Sequence, residues 1–343
     1  MMEPYARMMM HARQSMQEAA SKHLFDRNVS MIDFGYPEHH GRIARDEVAI
    51  RIHVHQKLFG PQLETALETG LTTEIPESIG EFKTDVLEGI YFPRYYRYYW
   101  WWSPPNPRAG RADPMRGGVS ISNARHYTYA TLGALVRDRN TGEDMILSNW
   151  HVLAGDWSAR PGLDILQPGR MDSGTSLDSV ATLTRDAMDD NLDAAVARLT
   201  GSRGLINDQV DLGPLTGVTA PRLGMRVKKS GRRTSVTYGS ITAIEGVVRI
   251  SYSRVERVIR NVVTVEPYTP REQTSQGGDS GSIWVNEDTR EAVGLHFAGS
   301  DFPERALAID MQTVLDALRV NLVTDVETLR VSSTLRERER EPA

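Results

Sequence analysis

No cysteine occurs in the 343 residues, so neither a disulfide framework nor a thiolate-held zinc can organise the fold. A strong excess of one charge is lacking too. Forty Lys and Arg stand against 45 Asp and Glu, a net charge of −5, which excludes a nucleic-acid binder that gains its affinity from neutralising phosphates. No apolar run reaches the length needed to span a bilayer. The N-terminal MMEPYARMMMHARQ interrupts its Met residues with Arg7 and Arg13, unlike the continuous apolar stretch of a secretory signal. A soluble, cytoplasmic protein is the expectation. What remains is globular composition, 40% hydrophobic and 25% charged, enough to build a core in a chain with room for one large and one small domain.

Residues 5–26 carry Met8, Ala12, Met16 and Ala19 along roughly one stripe, which predicts a helix. NVSMIDFGY and EVAIRIHVHQKL alternate as strands. The second puts Val48, Ile50, Ile52 and Val54 on one face and leaves His53 and His55 on a solvent-facing edge, without a third ligand for a metal. A short helix opens at Pro61 and closes at Gly70, and FKTDVLEG is extended. These elements make residues 1–90 a small α+β module. A linker, 91–116, follows, with nine aromatics between Tyr91 and Trp102 and then Pro104, Pro105 and Pro107. Tyr, Trp and Arg at such density are the residues of interface hot spots. The linker packs across its own chain, or it and the module meet a protein partner; both remain open.

From 117 to 323 short apolar runs alternate with Gly, Asn and Asp turns: YATLGALVRD, DMILSNWHVLA, SVATLTR, AAVARL, GSITAIEGVVRISY, NVVTVEPY, AVGLHFAG. Many short strands so separated imply an all-β sandwich or barrel. MRVKKSGRRT reads as a short basic hairpin without a function of its own, and AIDMQTVLDALRV as one closing helix. The tail, 324–343, ends in alternating charge with nothing to bury.

GGDSGSIW, residues 277–284, is either a tight turn or a nucleophile, Ser280, held beside backbone N–H groups. A serine hydroxyl is a poor nucleophile until an imidazole takes its proton, and a buried carboxylate must fix that imidazole's tautomer. Of nine histidines, His151 directly follows the strong strand of ILSNWHVLA. DDNLDAAVARL offers Asp189, Asp190 and Asp193, and Asp193 leads straight into an apolar strand, where its side chain is the one to be buried.

Taken in order on an all-β background, LSNWHVLA, NLDAAVARL and GGDSGS resemble the three catalytic blocks of the chymotrypsin-like (trypsin-like) serine proteases. Subtilisins and α/β-hydrolases run their triads in other orders. The resemblance covers about 117–323 and implies a trypsin-like double β-barrel domain, peptide or protein substrates, and no metal or organic cofactor. It makes Ser280 the nucleophile, His151 the general base and acid, and Asp193 the orienting carboxylate. The N–H groups of Gly278 and Ser280 become the oxyanion hole.

The family's substrate-binding strand falls on VGLHFAGS, which brings in His296, Phe297 and Gly299. Trypsins select Lys or Arg with a carboxylate six residues before the nucleophile; Thr274 stands there instead, next to Ser275. This region resembles the glutamyl endopeptidases, in which a His of that strand donates a hydrogen bond to the substrate side chain. His296 would do so here, implying a preference for Glu or Gln before the scissile bond. Asp279 matches the residue that, in trypsins, pairs with an N-terminal amine freed by cleavage, yet MRGGVSI lacks the usual Ile-Val start. The expectation is a mainly β protein, a chymotrypsin-like double β-barrel with a small N-terminal α+β domain, acting as a serine endopeptidase. The alternative is a non-catalytic or latent protease-fold effector regulated by its N-terminal module.

Overall fold

The computed structural model describes residues 4–93, 106–269 and 272–325. The densest part of the aromatic linker and nearly all of the charged tail lie outside the described residues. Two antiparallel barrels follow from the strand pairing. In the first, Ser120–Asn123 pairs with Asp164–Leu166, which pairs with Ser179–Asp186, then Ala195–Leu199, Asp144–Ser148 and Ala134–Asp138. Ala130–Thr131 pairs back to Ser120–Asn123 and runs on through Leu132 and Gly133 into Ala134–Asp138, so the ring closes.

The second ring is closed by pairing alone. Arg226–Gly231 pairs with both Ser235–Tyr252 and Ile283–Asn286; the circuit continues through Ala292–Asp301, Glu304–Asp310 and Val255–Glu266 back to Ser235–Tyr252. Closure removes the free edges that short alternating strands would otherwise expose. The helix Met311–Ala317 is capped by Asp310, whose side chain accepts from Thr313 N. After it, Val320–Leu322 returns to pair with Ala134–Asp138 of the first barrel. The mainly β double barrel expected from the sequence is the observed fold.

The N-terminal segment contains the expected elements: the helix Pro4–His23, strands Val29–Gly35, Ala49–Val54 and Phe82–Glu88, and the helix Pro61–Glu68. Its sheet continues the second barrel. The 18-residue strand Ser235–Tyr252 is long enough to serve the barrel and still pair with Val29–Gly35, Met31 opposite Val248 and Gly35 opposite Ala243. Gly35 is required at that crossing, because a Cβ would fall 2.2 Å from the Thr242 carbonyl oxygen. Met16, Ile32 and Ile52 share one core with Val227, Ile241, Trp284 and Ala306 of the barrel.

The Ala49–Val54 strand corrects one expectation. Both of its faces are buried, and His53 has no exposed surface. The polar face is covered because it carries its own counter-charges. Arg51 donates to Asp33 at 2.6 and 2.7 Å, Thr264 Oγ1 donates to the same carboxylate at 2.8 Å, and His53 Nε2 lies 3.3 Å from it. Arg51 and Arg305 both approach Glu266, at 3.6 and 3.5 Å. Burial alone would raise the Asp33 carboxyl, but Arg51 and His53 beside it hold it far below the usual carboxylate range.

A buried ion pair of this kind is costly to break from one side, since the other charge stays buried. Arg51→Met is therefore expected to destabilise the chain by about 3–5 kcal/mol. Amide exchange should rise together in Val29–Gly35 and in Val262–Val265, the strand that carries Thr264. Exchange confined to the N-terminal strands would contradict a common folding unit.

Candidate active site

His151 sits in the one-turn helix Trp150–Leu153 that ends the Asp144–Ser148 strand. Asn149, at the N-cap, donates from its side chain to the Asp193 carbonyl at 2.7 Å and so ties this turn to the loop of the candidate acid. Asp193 has no exposed surface. One carboxylate oxygen accepts from the His151 main-chain N–H at 3.0 Å, and the other meets His151 Nδ1 at 2.5 Å and accepts from Tyr252 Oη at 2.9 Å. Tyr252 is buried edge-on to Trp150, with ring centroids 5.9 Å apart. Asp189 and Asp190 are exposed. Of the three carboxylates in this stretch, Asp193 alone is brought to the imidazole.

Ser280 and its flanks are buried in a loop whose shape demands glycine. Gly278 has φ +109°, and a Cβ there would meet the Tyr129 ring at 2.3 Å; Gly281 has φ +95°, and its Cβ would lie 2.1 Å from the Thr131 carbonyl. The loop is pinned to the first barrel by Thr131, whose N–H donates to Ser280 O and whose hydroxyl donates to Gly278 O, both at 2.9 Å. Among the described residues the N–H groups of Gly278 and Ser280 donate to no acceptor. Ser280 Oγ donates to the Phe297 carbonyl at 3.3 Å.

Beneath the serine, Asp279 is fully buried and receives five contacts. Lys229 Nζ lies 3.2 Å away and Thr234 Oγ1 2.7 Å, while the N–H groups of Gln276, Arg233 and Thr234 donate at 2.9–3.0 Å. The cation comes from the KKSGRRT hairpin, which read alone is a basic patch without a function of its own. Burial would raise the Asp279 carboxyl, but Lys229, the Thr234 hydroxyl and the backbone N–H groups outweigh it and hold it at about 2. An internal lysine thus meets the charge.

The residues expected to bind substrate fall around the same loop. Thr274 and Ser275 are buried, and so are His296 and Phe297. His296 lies edge-on to Trp284, centroids 6.2 Å apart. Gly299 pairs with Ala306. One neighbour was not foreseen. Glu304 accepts from the Thr274 hydroxyl at 2.5 Å and from the N–H groups of Thr274 and Ser275 at 3.0 and 3.1 Å. It reaches them across the turn that follows the Ala292–Asp301 strand, a proximity that sequence distance hides.

Because Asp279 has a folded-state value below the unfolded one of about 3.9, its contribution to stability is complete above about pH 4 and fades as the pH falls towards about 2. Replacing Lys229 by Met leaves that carboxylate buried without its cation, at a cost of about 3–5 kcal/mol near neutrality. Thermal midpoints measured from pH 7 to pH 2 should differ most at pH 7 and converge as the pH falls from about 4 towards about 2. A Lys229→Met chain as stable as wild type at pH 7 would contradict this role.

No family model matches the chain, and no curated protein matches it at the sequence level. Solved structures do. Thermobifida fusca protease A is 17% identical, covering 62% of this chain and 100% of its own, at a TM-score of 0.46. Nocardiopsis protease is 18% identical with the same coverage and a TM-score of 0.47. A glutamic acid specific serine protease, described as using a histidine triad in substrate binding, is 21% identical over 61% of this chain and 100% of its own, at 0.43. These structures are chymotrypsin-like serine proteases, and the fold this chain presents is the double β-barrel that its own strand pairing closes.

Proposed function

We propose that the chain is a serine endopeptidase acting through His151, Asp193 and Ser280. The observation that carries the reading is the Asp193 carboxylate, buried and bonded on both oxygens to His151. With Nδ1–H directed at Asp193, the imidazole keeps its lone pair on Nε2, the only tautomer that can accept a hydroxyl proton. In the first step Ser280 Oγ forms a bond to the scissile carbonyl carbon as its proton passes to Nε2. The carbonyl oxygen, now anionic, is held by the N–H groups of Gly278 and Ser280. The imidazolium then returns its proton to the leaving amine as the C–N bond breaks. Water, activated by the same nitrogen, releases the acyl group. None of these steps calls on a metal or an organic cofactor.

Two readings of specificity follow from the residues beside the Ser280 loop. In the first, His296 donates to an acidic or amide side chain, and Glu or Gln precedes the scissile bond. The second rests on Glu304: its carboxylate at Thr274 and Ser275 would favour Lys or Arg. A peptide-library cleavage profile separates them. Under the first reading, His296→Ala lowers cleavage after Glu by roughly 100-fold and barely changes labelling by a small fluorophosphonate. Under the second, Glu304→Gln lowers cleavage after Arg by a similar factor.

Ser280→Ala is expected to abolish both hydrolysis and fluorophosphonate labelling while the fold persists. Asp193→Asn should slow hydrolysis by about 10⁴-fold, because the amide favours the wrong imidazole tautomer; Asp190→Asn should have little effect. Peptide hydrolysis that survives Ser280→Ala would refute the reading. A well-folded wild-type chain inert to both substrates and probe would favour the non-catalytic effector.

A further inference from the structure

The strand edge beside Ser280 already has an occupant. Within Ala292–Asp301, Gly294 and Leu295 pair on one side with Trp284 and Ile283, while residues 294–301 pair on the other with Glu304–Asp310. Ile283 begins its strand; just before it, the His296 N–H still donates to Ser282 O and the His296 carbonyl accepts from Gly281 N–H, both at 2.9 Å. Beyond His296 the chain turns away through the Ser280 loop, so that first side loses its barrel neighbour. Phe92–Pro93 takes the place, antiparallel, with Phe92 opposite Gly299 and Pro93 opposite Ala298. The next residue of the edge is Phe297, whose carbonyl lies 3.3 Å from Ser280 Oγ. Read from Phe92 to Pro93, the ladder advances towards the serine, as an extended peptide added to this edge would.

The segment is held just upstream of the edge. Tyr91 is buried, with its hydroxyl 2.7 Å from His53 Nδ1, and the Glu88 carbonyl accepts from Arg305 at 2.9 Å. Phe92 itself leaves 60% of its surface exposed, so burial of its side chain is not what keeps it on the edge. The main chain and the buried Pro93 make the contact, and the Tyr91 anchor supplies the tether. We propose, resting on the endopeptidase reading, that Phe92–Pro93 is a built-in occupant of the peptide-binding edge and that it blocks extended substrates in the full chain. A tethered segment competes at an effective concentration on the order of millimolar, which lets even a two-residue ladder exclude dilute peptide. A small acylating reagent needs only Ser280 and does not meet this competitor.

The test uses the full-length chain and a Phe92→Asp, Pro93→Gly variant, with Tyr91 and its anchor intact. Three quantities are compared: the rate of fluorophosphonate labelling, kcat/KM for an extended tetrapeptide amide, and deuterium exchange across residues 297–300. The variant is expected to label within about twofold of wild type, to hydrolyse the tetrapeptide roughly tenfold faster or more, and to exchange faster along the edge. Pro93→Gly alone should move the last two quantities in the same direction by less. Unchanged exchange overturns the occupancy whatever the activity. Equal kcat/KM in both chains, with normal labelling, overturns the block and leaves the endopeptidase reading standing. Absence of labelling in both chains removes the endopeptidase reading and this inference with it.

Discussion

A carboxylate without solvent must be satisfied by its surroundings, and Asp193 organises the junction of the two barrels on that condition. Its two oxygens take up the His151 backbone N–H, the His151 ring and the Tyr252 hydroxyl. Each donor belongs to a different constraint: the turn after a first-barrel strand, the imidazole itself, and the end of the longest strand of the second barrel. Asn149 closes the arrangement by bonding the Asp193 carbonyl. Orientation of the imidazole is therefore a property of the fold, and it holds without substrate, as preorganised chemistry requires.

The same strand that delivers Tyr252 also receives the N-terminal sheet. The Asp33–Arg51 pair, the Thr264 hydroxyl and the Glu266 carboxylate then stitch that sheet to the barrel. Arg305 lies within this polar cluster and its chain neighbour Glu304 holds Thr274 and Ser275. Packing in the N-terminal segment is thereby continuous with the floor of the proposed substrate pocket. Phe92–Pro93 brings the segment to the proposed peptide-binding edge as well.

Much of this was legible in the residues. Period-two alternation and regular turns announce the barrel strands, and Asp193, unlike Asp189 and Asp190, leads into an apolar strand; the structure buries it and leaves the other two exposed. Long-range pairings were not legible. His53 looked solvent-facing because alternation assigns it to the polar face, and nothing local says that Asp33, Arg51 and Tyr91 will cover that face. Lys229 looked like one more surface cation in a basic hairpin, since its partner Asp279 is fifty positions away. Glu304 and Tyr252 were missed for the same reason: a polar side chain acquires meaning from a contact that only the closed barrel creates.

The central claim is that Ser280 is a nucleophile activated through His151, and the most direct test is to locate the covalent adduct. The full-length chain would be treated with a small fluorophosphonate, digested and mapped by mass spectrometry. The account predicts one modified position, Ser280, and loss of the adduct on His151→Ala. An adduct on another residue, or labelling of Ser280 that is indifferent to His151, would contradict it.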